Sequence, residues 1–234
     1  LETPVISGNV SLYNESFGKA IYPTPIIGMV GLLEGREPVP SAFQAAGDVV
    51  GVLGPWLVSP DTLGGSAYLA EIHATRAGRP PQLDLEVERA LQQTTLAASA
   101  AGLLRSAHDC SDGGLGVALA ECCIWSRLGL QGGLQLPQQL TSDPLAATAL
   151  LFGEAPSRIV LSATPEHWDA LSDLAEAHGM LLTRLGVVGG ERLSFPPLLD
   201  LAIEAMYDTW RQGFRPVGET PEAEQAHVRT DRIE

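Results

Sequence analysis

A chain of 234 residues is long enough for one large domain or for one domain plus part of another, and at 45% hydrophobic it can bury a full core. With 14 Lys and Arg against 28 Asp and Glu, its net charge of -14 excludes a basic nucleic-acid groove, so an anionic ligand would need local positive charge. Cys110, Cys122 and Cys123 form neither a disulfide framework nor a CxxC metal pair, which fits a reducing cytosol; no apolar run approaches the roughly 18 residues of a membrane span.

In chain order, Leu1-Glu2-Thr3-Pro4 is neither an initiator Met nor a signal peptide and reads as a cut inside a longer protein. Val5 to Ser7 and Ile26 to Leu33 read as strands, the second uniformly apolar and so expected to be buried on both faces. Between them the polar stretch from Gly8 to Tyr22 reads as a loop. In it Gly8 would let backbone come close to a phosphate, Asn9 offers a carbonyl oxygen to a hard cation, and Ser11 a hydroxyl to an anionic ligand. An ordinary hairpin loop is the alternative reading of the same residues. The charged, proline-punctuated run from Glu34 to Pro40 marks a domain boundary.

Beyond it, Asp48 to Leu53 reads as a strand and Gly64-Gly65-Ser66 as a turn into a helix through His73. Asp84 to Leu104 is a long helix with Val87, Leu91, Thr94 and Ala98 on one face. Ser106 to His108 closes a strand, and Asp109, Ser111 and Asp112 are placed to cap the apolar helix that begins near Leu115. Gly129 to Leu136 reads as a strand, and Asp143-Pro144 as N-cap and first residue of a helix ending at Phe152-Gly153-Glu154. A strand from Ser157 to Ala163 precedes a helix capped by Thr164-Pro165 and stopped by Gly179. Leu181 to Val188 and Arg192 to Phe195 flank Gly189-Gly190 as a two-residue hairpin, and a last helix spans Leu198 to Trp210. From Gly218 the chain is charged and poor in apolar residues, as a loose tail would be. Strands alternating with helices give an α/β (α+β) fold, a mixed sheet covered by helices.

Chemistry is concentrated in few places. GxSxG, GxxxxGK[ST] and HExxH do not occur, and Gly114-Leu115-Gly116 matches half of a dinucleotide fingerprint, with Leu119 where the third glycine belongs. Gly113 and Gly114 open a helix whose N-terminus could hold an anion; the alternative is that they serve simply to pack helix on sheet. His108 beside Asp109 suggests a base and its orienter, although strand neighbours point to opposite faces and a turn contact suits them better. His73 and His178 sit near helix ends, where a histidine is favourable without further role.

SGNVSLYNE, PTPIIGMVG, LGGS, HDCSDGGLGVALAE and FGEAPSR, in this order and spacing, resemble the catalytic subunit of phosphoribosylformylglycinamidine synthase of the small PurL type, over roughly Pro4 to Trp210. DxSDGGL and FGE recur across the aminoimidazole ribonucleotide synthetase-like superfamily, whereas GNVSLYNE is more specific to the synthase. The resemblance implies the C-terminal part of a second ATP-binding domain in residues 1–35 and a second C-terminal α/β domain in 41–216, and the composition leaves 217–234 as a flexible tail. The resemblance places Gly8 at ATP, Asn9 at a magnesium ion and Ser11 at formylglycinamide ribonucleotide, and puts the family's catalytic residues upstream of Leu1. It implies amidation of that substrate with ATP and glutamine-derived ammonia, a glutaminase partner and a small bridging subunit, and a cytoplasmic location. HDCSDGGLG and FGEAPSR are then second-copy segments with a structural role or a vestigial nucleotide site. The alternative is a non-catalytic scaffold or nucleotide-sensing module of the same superfamily.

Overall fold

The computed structural model describes residues 14–21, 28, 30–33, 35, 37–133 and 142–213. The chain divides into two compact units, Leu1–Pro38 and Val39–Glu234. In the first, β1 (Glu15–Ser16) and β2 (Lys19–Ala20) pair antiparallel around Phe17-Gly18. Both turn residues have positive φ, 53° and 76°, the requirement of a two-residue turn matched to strand twist. The polar stretch therefore contains a hairpin. The strand expected over Ile26 to Leu33 does not form at its described residues: 28 and 30–33 lie outside any strand, with Val30 and Leu32 exposed. No described strand pairs with these backbone groups, and apolar character by itself supplies no hydrogen bonds. Val5 to Ser7 lie outside the described residues.

The second unit carries, among the described residues, a seven-stranded sheet in the order β4-β6-β3-β7-β5-β8-β9. These strands are β3 (Val49–Leu53), β4 (Ser106–Asp109), β5 (Leu130–Gly132), β6 (Ile159–Ala163), β7 (Leu182–Val188), β8 (Arg192–Phe195) and β9 (Leu199–Ala202). All neighbours are antiparallel except β5 with β8. Helices α1 (Ala67–His73), α2 (Leu85–Ala100), α3 (Gly114–Ser126), α4 (Pro144–Phe152), α5 (Pro165–Ala177) and α6 (Ile203–Gly213) accompany it. One core joins sheet residues Val50, Val52 and Leu185 to α3, α4 and α6 through Leu119, Cys122, Leu150 and Ile203. The other joins Leu53, Leu161 and Ala163 to α2 and α5 through Leu91, Ala98, Leu171 and Ala175. Alternation along β3 sends Val52 to one core and Leu53 to the other, as the two-residue period requires.

Two local expectations are corrected. The strands flanking Gly189-Gly190 are not a hairpin: β5 lies between them, and Gly189-Gly190 passes over its start, with Gly129 N–H donating to Gly190 O at 2.8 Å and Gly189 N–H to Gly129 O at 2.8 Å. A β-carbon on Gly186 would stand 2.2 Å from Gln131 O, so β5 enters where the side chain is absent. The first turn of the expected last helix is strand β9, which pairs with β8 through Leu199 to Ala202, and the helix begins at Ile203. Pairing with β8 satisfies the same backbone groups that a helical turn would.

Gly51, mid-strand in β3, faces the Trp168 ring of α5; a β-carbon there would lie 2.6 Å from Trp168 Cη2 and 2.9 Å from Thr183 O. Gly51→Ala is expected to cost about 1–3 kcal/mol by overpacking. Adding Trp168→Leu should make the double variant less destabilised than the sum of the singles, because the ring contact is then absent. Urea unfolding of the four proteins measures both; strict additivity would refute the contact.

Candidate functional site

The residues assigned to ATP, magnesium and substrate, Gly8, Asn9 and Ser11, lie outside the described residues. The chemistry-bearing segments that are described are the glycine turn after β4 and the loop Gly153–Arg158 after α4, and the fold brings them together. At the turn, the expected local cap is absent: Gly113 is the N-cap of α3 and no side chain of its own segment bonds there. Ser111 Oγ instead donates to Asp109 Oδ2. The cap arrives from a distance. Glu154 Oε1 accepts Gly113 N–H at 2.9 Å and also Ala67 N–H at 2.7 Å, the first residue of α1. One carboxylate oxygen thus sits at the positive ends of two helices. Gly113 and Gly114, with φ of 78° and 68°, let the chain turn there, and a β-carbon on Gly114 would meet Gly153 O at 2.7 Å. The close approach of the two segments therefore needs glycine.

The loop carrying Glu154 is held on every side. Glu154 N–H donates to Thr62 O at 3.0 Å, Ser157 Oγ donates to Glu88 Oε2 at 2.7 Å, and Arg158 O accepts Cys110 N–H at 3.1 Å. The buried Arg158 guanidinium folds back, Nη2 donating to Gly153 O and Nε to Ala155 O, while Nη1 finds no acceptor among the described residues. Burial lowers the Arg158 pKa from its ordinary value. Ser157 holds a φ of 59° under the close pass of Gly54, whose β-carbon would lie 2.1 Å from Ser157 O. Beside this loop opens a cleft of about 1020 Å³, lined by Ala155, Pro156 and Ser157 of the loop and by Thr62, Arg79 and Leu145.

The histidines take structural places. His108 Nδ1 donates to Asp109 O at 2.7 Å, its Nε2 lies 3.2 Å from Glu121 Oε2, and its ring stacks on Trp125 with centroids 5.6 Å apart. The turn contact is present and α3 supplies the second partner. His178 ends α5 with Nδ1 3.1 Å from Thr94 Oγ1, whose hydroxyl donates to Ala90 O. His73 packs edge-on against Tyr68. The three cysteines are buried and free; burial pushes Cys110 up to about 11 and Cys123 to about 12, and raises Cys122 further. No group of three or more His, Cys, Asp or Glu among the described residues could hold a metal, and no described helix is long and apolar enough to cross a membrane.

The model of the AIR synthase related protein, C-terminal domain, matches residues 45–195, most of the chain and nearly all of the sheet. The chain belongs to this family. It is 45% identical over 220 residues to the phosphoribosylformylglycinamidine synthase subunit PurL of Anaeromyxobacter dehalogenans strain 2CP-C, covering 90% of this chain and 28% of the relative. PurL of Moorella thermoacetica is 44% identical over 217 residues, with 91% and 28% covered. The chain thus spans little more than a quarter of the curated relatives it matches. Among solved structures, T. maritima PurL complexed with FGAR superposes with a TM-score of 0.60 at 20% identity, over 72% of this chain and 29% of that one. T. maritima PurL complexed with ATP gives a TM-score of 0.52 at 17% identity over 72% and 27%. These structures share the fold, and the family expected from the motifs is the family found.

Glu154→Ala leaves two helix-terminal N–H groups without their acceptor and is expected to cost about 2–4 kcal/mol, with Glu154→Gln losing less because it keeps an oxygen. Denaturant melts of the three proteins measure the order; an unchanged alanine variant would refute the clamp. For the thiols, at pH 8 the folded chain should hold almost no thiolate. Alkylation by iodoacetamide should then proceed only at the rate of unfolding, and rapid labelling of Cys110 in the native chain would contradict its burial.

Proposed function

We propose that this chain supplies the closing portion of an ATP-dependent amidoligase of purine biosynthesis, which converts formylglycinamide ribonucleotide, ATP and glutamine-derived ammonia to formylglycinamidine ribonucleotide, ADP and phosphate. The supporting observation is the near-half identity to PurL subunits across 90% of the chain; the FGAR and ATP named with the T. maritima structures agree with the same substrates. In this reading residues 1–35 complete an ATP-binding domain, 41–216 are its α/β domain, and 217–234 a tail. Gly8 lies against ATP, Ser11 donates to the substrate, and Asn9 lends a neutral oxygen to Mg2+, whose carboxylate ligands come from outside this chain. Ammonia reaches the site from a separate glutaminase subunit, joined through a small bridging subunit, in the cytoplasm.

Within the α/β unit the glycine turn and the FGE loop act as scaffold. The observation favouring this is that Glu154 already occupies the anion position at the N-terminus of α3. A carboxylate built into the chain meets the helix dipole that a phosphate would otherwise meet.

The test replaces the matching segment of Anaeromyxobacter dehalogenans PurL with this chain. The chimera should make the amidine product with ATP and ammonia, whereas the 234-residue chain alone should not. In the chimera, Asn9→Ala should lower kcat through metal placement and Ser11→Ala should chiefly raise KM, since a hydroxyl on the ground state contributes uniform binding. A folded chimera without turnover would defeat the assignment, and unchanged kcat and KM in both variants would make the loop a structural hairpin.

A further inference from the structure

The segment after the short 3-10 turn Pro60–Leu63 is built as a body of its own. Gly65 N–H donates to Ala77 O at 2.8 Å, and Gly64 and Gly78 approach so closely that a β-carbon on Gly78 would lie 2.7 Å from Gly64 Cα. Inside that closure sits α1, of which no residue is fully buried, followed by 74–80, exposed throughout. The segment therefore adds little to either core. Its body-side neighbours are different in kind: Leu63 is buried, and Thr62 O is tied to Glu154 N–H. Gly65, at φ +74° with open space around its would-be β-carbon, stands at one end; Leu83, exposed ahead of the Asp84 cap of α2, stands at the other. Leu69, Arg79 and Gln82 of the segment line the 1020 Å³ cleft together with Val87, Leu145 and Ser157 of the body.

A hydrogen bond and a ring stack join α1 to the body. Glu154 Oε1 accepts Ala67 N–H at 2.7 Å, and the Tyr68 ring stacks on Phe152 with centroids 5.2 Å apart and planes 16° from parallel. We propose that residues 65–82 form a flap over the cleft, hinged at Gly65 and Leu83 and latched shut by Glu154 and the Tyr68–Phe152 stack. A segment with few buried apolar groups, closed on itself and pinned at two points, opens at lower free energy than the sheet beneath it. The inference stands independently of the ligase assignment, since it concerns the motion of the chain and not what enters the cleft.

Hydrogen exchange read by mass spectrometry on the whole 234-residue chain tests it. In the unaltered protein the amides of α1 should exchange well ahead of those of β3 and β6. Glu154→Ala should accelerate α1 exchange by roughly tenfold or more, and Tyr68→Leu, which touches the flap and leaves the turn at Gly113 alone, by about threefold. Tyr68→Leu should leave β3 and β6 within about twofold of the parent, whereas Glu154→Ala, which also uncaps the helix at Gly113, should accelerate α1 more than it accelerates them. Equal protection of α1 and the sheet would overturn the flap. So would equal acceleration of α1 and sheet by Tyr68→Leu, and a Tyr68→Leu variant whose α1 exchanges as before would remove the stack from the latch.

Discussion

The carboxylate of Glu154 is the constraint on which the α/β unit is arranged. A helix N-terminus leaves its first N–H groups without intrahelical partners, and α3 begins at a glycine that can offer no side chain to them. The acceptor comes instead from the end of α4, 41 residues away in sequence, and the same oxygen also serves α1. Three helices thus meet at one charge. The geometry permits this because glycines stand at the closest approaches: Gly114 against the backbone oxygen of Gly153, and Gly153 against the Thr62 hydroxyl.

The loop that carries Glu154 transmits this constraint outward. Ser157 reaches α2 through Glu88, Arg158 receives the end of β4 through Cys110 N–H, and Gly54 at the end of β3 packs under Ser157. Arg158 closes the loop on its own carbonyls, so among the described residues a cation is kept inside without a carboxylate partner and with its remaining nitrogen lacking an acceptor. A buried guanidinium with one unmet donor is costly. Its two bonds to Gly153 O and Ala155 O offset that cost by fixing the conformation that aims Glu154 at both helices.

Motifs that look like ligand loops can therefore serve the fold. A glycine pair before an apolar helix has the form of an anion site, and here the anion is part of the chain. The same economy appears at His108, where carbonyl, carboxylate and indole surround the ring and the turn contact favoured by the sequence over a catalytic base is present. The side chains that carry the family likeness hold elements together as much as they face solvent.

Local signals in the sequence determined most elements and the family. Asp143-Pro144 and Asp84 start helices because their carboxylates cap the next amides within three residues, and the motifs from GNVSLYNE to FGEAPSR were legible because they are contiguous. Tertiary structure decided what depends on partners distant in sequence. Sequence adjacency made β7 and β8 a hairpin, yet β5 inserts between them because Gly186 leaves room for its backbone. Leu199 to Ala202 had helical spacing, yet the open edge of β8 took them as a strand. The cap of α3 was assigned to Asp109, Ser111 and Asp112, its neighbours in the chain, and was supplied by Glu154. Caps and turns are satisfied within a few residues and can be read in one dimension; strand order and a shared carboxylate are settled only when the folded chain brings remote donors and acceptors together.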